Sequence, residues 1–361
     1  MRVGAFVLAA QFPGQGQGEA LHRAVRSTEE AERAGLDSVW LAEHHFVPYG
    51  VCPSAVTLAA LLLGRTRRIG VGTAVSVLSS THPVALGEQA ALLHLTAEGR
   101  FTLGVGRGGP WMDLEVFGGG LEAYEQGFPE ALDLLLRWLR EPSVGAAGER
   151  YRFREVPVVP RPGEALRLGA DGVPGTAGVT NAPGAAQAPP VLVACTSPGT
   201  VRLAAQRGLP MLLGMHCGDE EKASMTGLWR REARAAGHSP EAVAEAAACH
   251  VSVGVAQLGD TAAEATEALT KAMPGWLREG LDAHRTVDGR ARTVRDPLEY
   301  TEMLCRLHPV GPAQLCADRL ARTAEVTGIS RFALLVEGTG DLAATEANVQ
   351  RLGSDVLPLL S

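Results

Sequence analysis

The sequence predicts an α/β chain closed into a (β/α)8 TIM barrel, and three observations predict it. Apolar runs, eight in all, alternate with helix-patterned stretches. That order calls for parallel strands with right-handed crossovers, and eight is the count that closes a barrel. Second, four runs end in polar groups. Val39 to Ala42 runs into Glu43-His44-His45, and Ile69 to Gly72 into Thr73-Ala74-Val75-Ser76. Phe101 to Val105 runs into Gly106-Arg107-Gly108-Gly109, and Val191 to Ala194 into Cys195-Thr196-Ser197. Strands buried on both faces carry polar residues only where the chain leaves the core, so parallel neighbours bring these ends to one rim. Third, 361 residues with 46% hydrophobic content suffice for one large core, read as a single domain over 1–361. The competing architecture is an open doubly wound sheet. Gly104 to Gly109 matches G-x-G-x-x-G, but it lies on the fourth strand, Pro110 interrupts any helix start, and no acidic residue ends a strand at the expected distance.

The elements follow in order. Val3 to Leu8 is strand 1, and Gln11 to Gly18 is a loop. Glu19 to Ala34 has helical spacing with Leu21, Val25 and Ala31 on one side, and Gly35 stops it. Ser38 to Leu41 is strand 2. Pro53 opens a helix to Leu63, a position that suits proline. Arg68 to Gly72 is strand 3. His82-Pro83 begins a helix to about Ala97, strand 4 follows Gly99-Arg100, and Glu130 to Arg140 is helical. From Glu141 to Pro190, and above all from Gly169, Gly, Ala and Pro dominate. This reads as an insertion or flexible excursion with too few large apolar residues for a core of its own. Strand 5 is Val191 to Ala194, with a helix from Pro198 to Arg207. Strand 6 is Pro210 to Leu213, with a helix from Asp219 to Ala236. Strand 7 is His250 to Gln257, with a helix from Thr261 to Met273. Gly275 to Asp296 is polar, weakly patterned and read as a lid. A helix from Pro312 to Val326, strand 8 from Phe332 to Val336 and the stretch Ala343 to Leu360 complete the chain.

Net charge is −7 with both signs mixed, and no basic block is interleaved with aromatics, which argues against nucleic acid. Six cysteines without a CxxC pair read as reduced thiols of a cytoplasmic protein. The apolar start Met1 to Ala10 is too short for a signal sequence, and Ala55 to Gly64 falls well short of the roughly 20 residues of a membrane span.

Three groups on the rim carry chemistry. Side chains alternate along a strand, so of His44 and His45 one faces the cavity and the other packs outward. His44 is the functional choice, because an imidazole titrates near neutral pH and suits proton transfer. The other histidines form no ligand-spaced cluster, so no metal site is expected. Arg107 sits among glycines that admit an anion to the backbone, or in a plain turn with a solvated side chain. Thr196, Ser197 and Thr200 mark a helix start. Capping and phosphate binding use the same groups there. The helix Pro83 to Ala97 carries surplus apolar surface suited to a second subunit.

These residues carry a resemblance. Val39 to Phe46, Val71-Gly72-Thr73-Ala74, His82-Pro83-Val84, Gly99-Arg100-Phe101, Arg107-Gly108, Arg207 to Met211, Pro309-Val310-Gly311 and Thr327-Gly328-Ile329 match, in order, the bacterial luciferase family of flavin-dependent monooxygenases. The chain resembles the luciferase α subunit most, over nearly its whole length. The resemblance implies reduced FMN (FMNH2) at the C-terminal face of the barrel, dioxygen as co-substrate and a 4a-peroxyflavin that oxygenates a small organic molecule. A separate NAD(P)H:flavin reductase and a homodimer through the Pro83 to Ala97 region are implied with it.

Carried over by position, His44 matches the catalytic imidazole and Glu43 its neighbour beside the flavin. Ala74-Val75 falls at a non-prolyl cis peptide against the isoalloxazine. Arg107, Ser197 and Thr200 match phosphate contacts, and Thr196 stands where the α subunit has a glutamate. Gly106 replaces a cysteine, which suggests room for a bulkier substrate. Glu125 falls near a phosphate-binding arginine, which suggests weaker anion affinity. These departures point away from long-chain aldehydes and light emission. The Ala-, Gly- and Arg-rich composition resembles actinobacterial chains that tailor polyketides. Two other readings stay open: a deazaflavin-dependent hydride transferase on the same barrel, and a non-catalytic flavin-binding subunit.

Overall fold

The computed structural model describes residues 1–163, 188–283 and 296–360, the side chains of 281–283 excepted. Eight parallel strands form a closed barrel: β1 (Arg2–Val7), β2 (Ser38–Leu41), β3 (Gly70–Thr73), β4 (Phe101–Gly106), β5 (Val191–Cys195), β6 (Met211–Leu213), β7 (Val251–Val255) and β8 (Arg331–Leu335). Each pairs with the next, and β8 closes on β1 with Val3 opposite Phe332. Closure removes the open-sheet alternative. Gly104 serves this packing: its N–H donates to the Thr73 hydroxyl at 3.0 Å, and a Cβ there would overlap the Thr73 carbonyl.

Alternate residues face opposite ways, as the pleat requires. Phe6, Trp40, Leu192, Leu212, Val253 and Leu335 fill the barrel. Their neighbours, among them Ala5, Leu41, Val193 and Leu334, meet the surrounding helices. Those helices are α1 (Gln17–Arg33), α2 (Ala55–Arg65), α3 (Pro83–Thr96), α4 (Phe128–Arg140), α5 (Pro198–Gln206), α6 (Asp219–Ala235), α7 (Ala313–Thr327) and α8 (Leu342–Arg351). In α1 the buried face carries Ala20, Ala24, Ser27 and Ala31, while Leu21 is exposed.

The β8–β1 seam is held by a buried ion pair. Glu337 accepts from the backbone N–H of Leu8 at 2.7 Å and of Ala10 at 3.3 Å, and its other oxygen lies 3.4 Å from Arg23 Nε. Arg23 also donates to Gln15 Oε1 and to the carbonyls of Gly340 and Ala10. The short helix Pro240–Ala247 and the helix Pro297–Leu307 had no counterpart in the sequence pattern.

Two expectations change. The excursion after α4 begins with an antiparallel hairpin, Ser143–Ala147 with Arg152–Pro157, and Val144 and Val158 are buried with Leu134 and Trp138. Two well-placed valines suffice where they meet an existing helix. Within the part read as a lid, Gly275 to Ala283 instead continues the helix Ala262–Ala283 through Pro274, with Trp276 and Leu277 buried. Residues 164–187 and 284–295, the rest of the insertion and of the lid, lie outside the described residues.

Candidate active site at the C-terminal rim

The segments that leave the C-terminal ends of β2 to β5, consecutive neighbours in the barrel, carry Glu43, His44, Ala74, Val75, Arg107, Thr196, Ser197 and Thr200. After β3 the Ala74–Val75 bond is cis, at the expected place, and Ser76–Val77 then pairs along β4 with Val77 opposite Gly106. Ala74 and Val75 join Ala194 and Met215 in packing against the interior cluster, so the apolar filling of the barrel reaches the rim as a shelf.

Glu43 fixes this shelf through both carboxylate oxygens. One carboxylate oxygen accepts from Ala55 N, the first residue of α2, at 3.0 Å, and the other from Val77 N at 3.0 Å. A helix N-terminus favours a carboxylate through its free N–H groups and dipole. The residue two positions on shares its side: His45 Nε2 lies 3.7 Å from Glu43 Oε1. His45 also meets Phe117 edge-on at 4.9 Å. Glu43 and His45 line a cavity of about 310 Å³ with Ser76 and Gln89.

His44 points the other way, as the alternation requires. It lines a cavity of about 340 Å³ with Gln11 and Gln17, and its ring meets Tyr49 edge-on at 5.1 Å. Tyr49 stacks on Trp276 at 4.7 Å, and Trp276 Nε1 donates to the Tyr49 carbonyl at 2.9 Å. Gly50 is required beside them, because a Cβ there would lie 2.8 Å from His44 Nδ1. The imidazole beside the Glu43 carboxylate is thus that of His45, and His44 faces a separate cavity.

Val105 of β4 lies opposite Val193 of β5, so Arg107 and Thr196 leave the barrel side by side. Among the described residues Arg107 has no carboxylate partner; its Nη2 donates to Tyr124 Oη at 2.8 Å, and its Cζ lies 3.9 Å from the Tyr124 ring centre. Ser197 caps α5. Its Oγ accepts from Thr200 N at 3.4 Å, and Ser197 N donates back to Thr200 Oγ1 at 3.3 Å. Thr196 is exposed beside them. Gly108, at φ +75°, faces Val77 and Ser79, and Ser79 Oγ is buried without a hydrogen-bond partner among the described residues.

Gly106 leaves no spare room. A Cβ at that position would lie 2.5 Å from Val75 Cγ2, so Val75 fills the space that the glycine suggested for a bulkier substrate. Glu125 is exposed, and its neighbour Tyr124 is the residue of that segment that meets Arg107.

Sequence reasoning missed Tyr124 and Asp113. Asp113, on the short helix Trp111–Val116, is 3% exposed, and its Oδ1 has no hydrogen-bond partner among the described residues. Burial pushes its carboxyl up to about 6; Glu43 adds to the rise and His45 opposes it. Neither residue sits in a periodic stretch, so only the fold reveals them. All six cysteines are free, and no metal-ligating cluster occurs among the described residues.

An apolar shelf, a glycine-flanked arginine and a capped helix start lie on neighbouring strands of one rim. Residues 1–331 match the family described as luciferase-like monooxygenase, and the chain belongs to it. It is a flavin-dependent monooxygenase. The alkanal monooxygenase alpha chain of Photorhabdus luminescens is 28% identical over 377 aligned positions, covering 100% of this chain and 98% of that one. Three solved structures share the fold. Monooxygenase RslO1 of Streptomyces bottropensis superposes with a TM-score of 0.78 at 20% identity, covering 100% of both chains. The oxygenating constituent of 3,6-diketocamphane monooxygenase from Pseudomonas putida, in complex with FMN, gives 0.75 at 19%, covering 100% of this chain and 99% of that one. An F420-dependent secondary alcohol dehydrogenase gives 0.72 at 16%, with the same coverage.

Proposed function

We propose that this chain is the oxygenating component of a two-component, cytoplasmic system, taking reduced FMN from a separate NAD(P)H:flavin reductase. Its substrate is a small organic molecule of polyketide type, and the natural role is antibiotic biosynthesis. One observation carries the reading. The apolar shelf of Ala74, Val75, Ala194 and Met215 lies on the same rim as the start of α5 and an arginine that has no carboxylate partner among the described residues. That donor set fits an apolar ring system with a phosphate tail.

Bound reduced FMN would supply the electrons that activate dioxygen. The chain's own residues do the rest. Glu43 holds the shelf in register through Ala55 and Val77. Arg107 presents guanidinium donors to phosphate, while Thr196, Ser197 and Thr200 offer hydroxyl and backbone N–H groups at the helix start. His44, backed by Tyr49 and Trp276, holds or moves a proton beside the reacting centre. Exposed Leu61 on α2 and Leu92 on α3 support pairing with a second copy through α3.

The decisive experiment supplies enzymatically reduced FMN, labelled dioxygen and candidate polyketide substrates, and follows label into product by mass spectrometry. Label in product supports the proposal. Turnover with reduced F420 in the absence of oxygen would replace it with hydride transfer, the reading favoured by the similarity to the F420-dependent dehydrogenase. In the same assay His44→Ala should retain flavin binding and lose turnover by on the order of 100-fold or more, the scale of general acid–base catalysis. Undiminished turnover removes His44 from the chemistry.

A further inference from the structure

Tyr124 is the only group, among the described residues, seen to hold the Arg107 guanidinium, and it does so twice. The phenol oxygen accepts from Nη2 at 2.8 Å, and the ring lies 3.9 Å from Cζ. A carboxylate in this place would cancel the arginine's charge. A neutral phenol orients the side chain and leaves the charge for an incoming anion. The phenol oxygen engages one N–H and the guanidinium carbon lies over the ring, which leaves the other donors of the planar fork for a phosphate.

The backbone that carries Tyr124 is built for position. Ala123 to Gly127 is a single π turn leading directly into α4, a feature that often marks functional sites. It is braced from behind. Gly127 lies against Arg150, where a Cβ would come within 2.8 Å of Cδ. Glu130 accepts from the backbone N–H of Arg150 and Tyr151 at 3.2 and 3.0 Å. The hairpin Ser143–Ala147 with Arg152–Pro157 therefore anchors the turn that holds the arginine.

We infer that Tyr124 is a positioning residue for the anion site: it sets the Arg107 fork toward the phosphate tail of a flavin mononucleotide and thereby makes the site prefer a phosphorylated flavin. This inference rests on the phosphate-binding reading above. It replaces the expectation that Glu125 weakens the site, since the adjacent tyrosine organises the arginine.

Anaerobic titration of the full chain with reduced FMN and with reduced riboflavin, followed by quenching of tryptophan fluorescence, tests it. The wild type should bind FMN more tightly than riboflavin. Tyr124→Ala should weaken FMN binding about tenfold, the scale of a charge-assisted hydrogen bond plus a cation–π contact, and leave riboflavin unchanged. Tyr124→Phe, which keeps the ring, should lose about threefold on the same scale and decides the matter if the alanine variant does not fold. In an Arg107→Ala background, Tyr124→Ala should have no further effect on FMN, because a positioning residue acts only through its partner. An FMN preference undiminished in the tyrosine variants, equal losses for both flavins, or additive losses with Arg107→Ala would overturn the inference while leaving the phosphate site in place. A wild type that does not distinguish the two flavins would remove the phosphate reading itself, and this inference with it.

Discussion

Two buried polar groupings at the barrel mouth are constructed on opposite principles. At the β8–β1 side every polar group of the buried pair is matched: Glu337 takes two backbone N–H groups and Arg23, and Arg23 spends its donors on Gln15, Gly340 and Ala10. At the β2–β4 side, His45 Nε2, Ser76 Oγ, Ser79 Oγ and Asp113 Oδ1 are buried without hydrogen-bond partners among the described residues. Buried polar groups are ordinarily satisfied, and leaving one unsatisfied costs about 1–3 kcal/mol. Burial of polar groups thus does different work in the two groupings. The first closes the barrel; the second tolerates a cost beside the groups assigned to chemistry.

The sharpest way to break this contrast is at the closed side. Glu337→Ala leaves Arg23 buried with an uncompensated charge, and removing one partner of such a pair costs about 3–5 kcal/mol. Urea unfolding should show that loss, while flavin affinity of the folded fraction stays near wild type, since Glu337 belongs to the other grouping. A loss below about 1 kcal/mol would mean that the pair contributes no more than an exposed one.

A smaller effect is expected at the shelf. Gly106→Ala puts a Cβ 2.5 Å from Val75 Cγ2, and overpacking of this kind costs about 1–3 kcal/mol. Because Val75 lines the shelf, flavin affinity should fall together with stability, unlike the Glu337 case. Val75→Ala should relieve the clash, so the double variant should recover most of the stability lost by Gly106→Ala. Equal stability of Gly106→Ala and wild type would show that Val75 moves aside freely.

The sequence showed the barrel and the rim clearly because both depend on local signals. Eight apolar runs can be read along the chain, and each ends in its own polar residues. The anchoring of Glu43 was hidden because it depends on where Ala55 and Val77 arrive, 12 and 34 residues further along the chain. Trp276 fell in a stretch read as a lid because that stretch is polar and weakly patterned, yet the helix runs on through Pro274 and stacks Trp276 on Tyr49. Gly106 suggested space because a sequence does not show that Val75 occupies it. Each of these needed a contact across many residues, which periodicity cannot report.

The smallest effect is at Asp113, and its sign follows from linkage. Burial holds the folded carboxyl at about 6, above its ordinary value of about 3.9, with Glu43 and His45 the charged neighbours that act on it. A raised carboxyl contributes stability that is fully present below the unfolded pKa and is lost as pH rises through the folded one. Asp113→Asn cannot ionise and escapes that loss. The variant's melting temperature should therefore match the wild type near about pH 4 and exceed it increasingly up to about pH 7. A difference that does not change with pH would show that Asp113 does not titrate in this range. The β2–β4 side would then carry its unpaired acceptor without any penalty for charge.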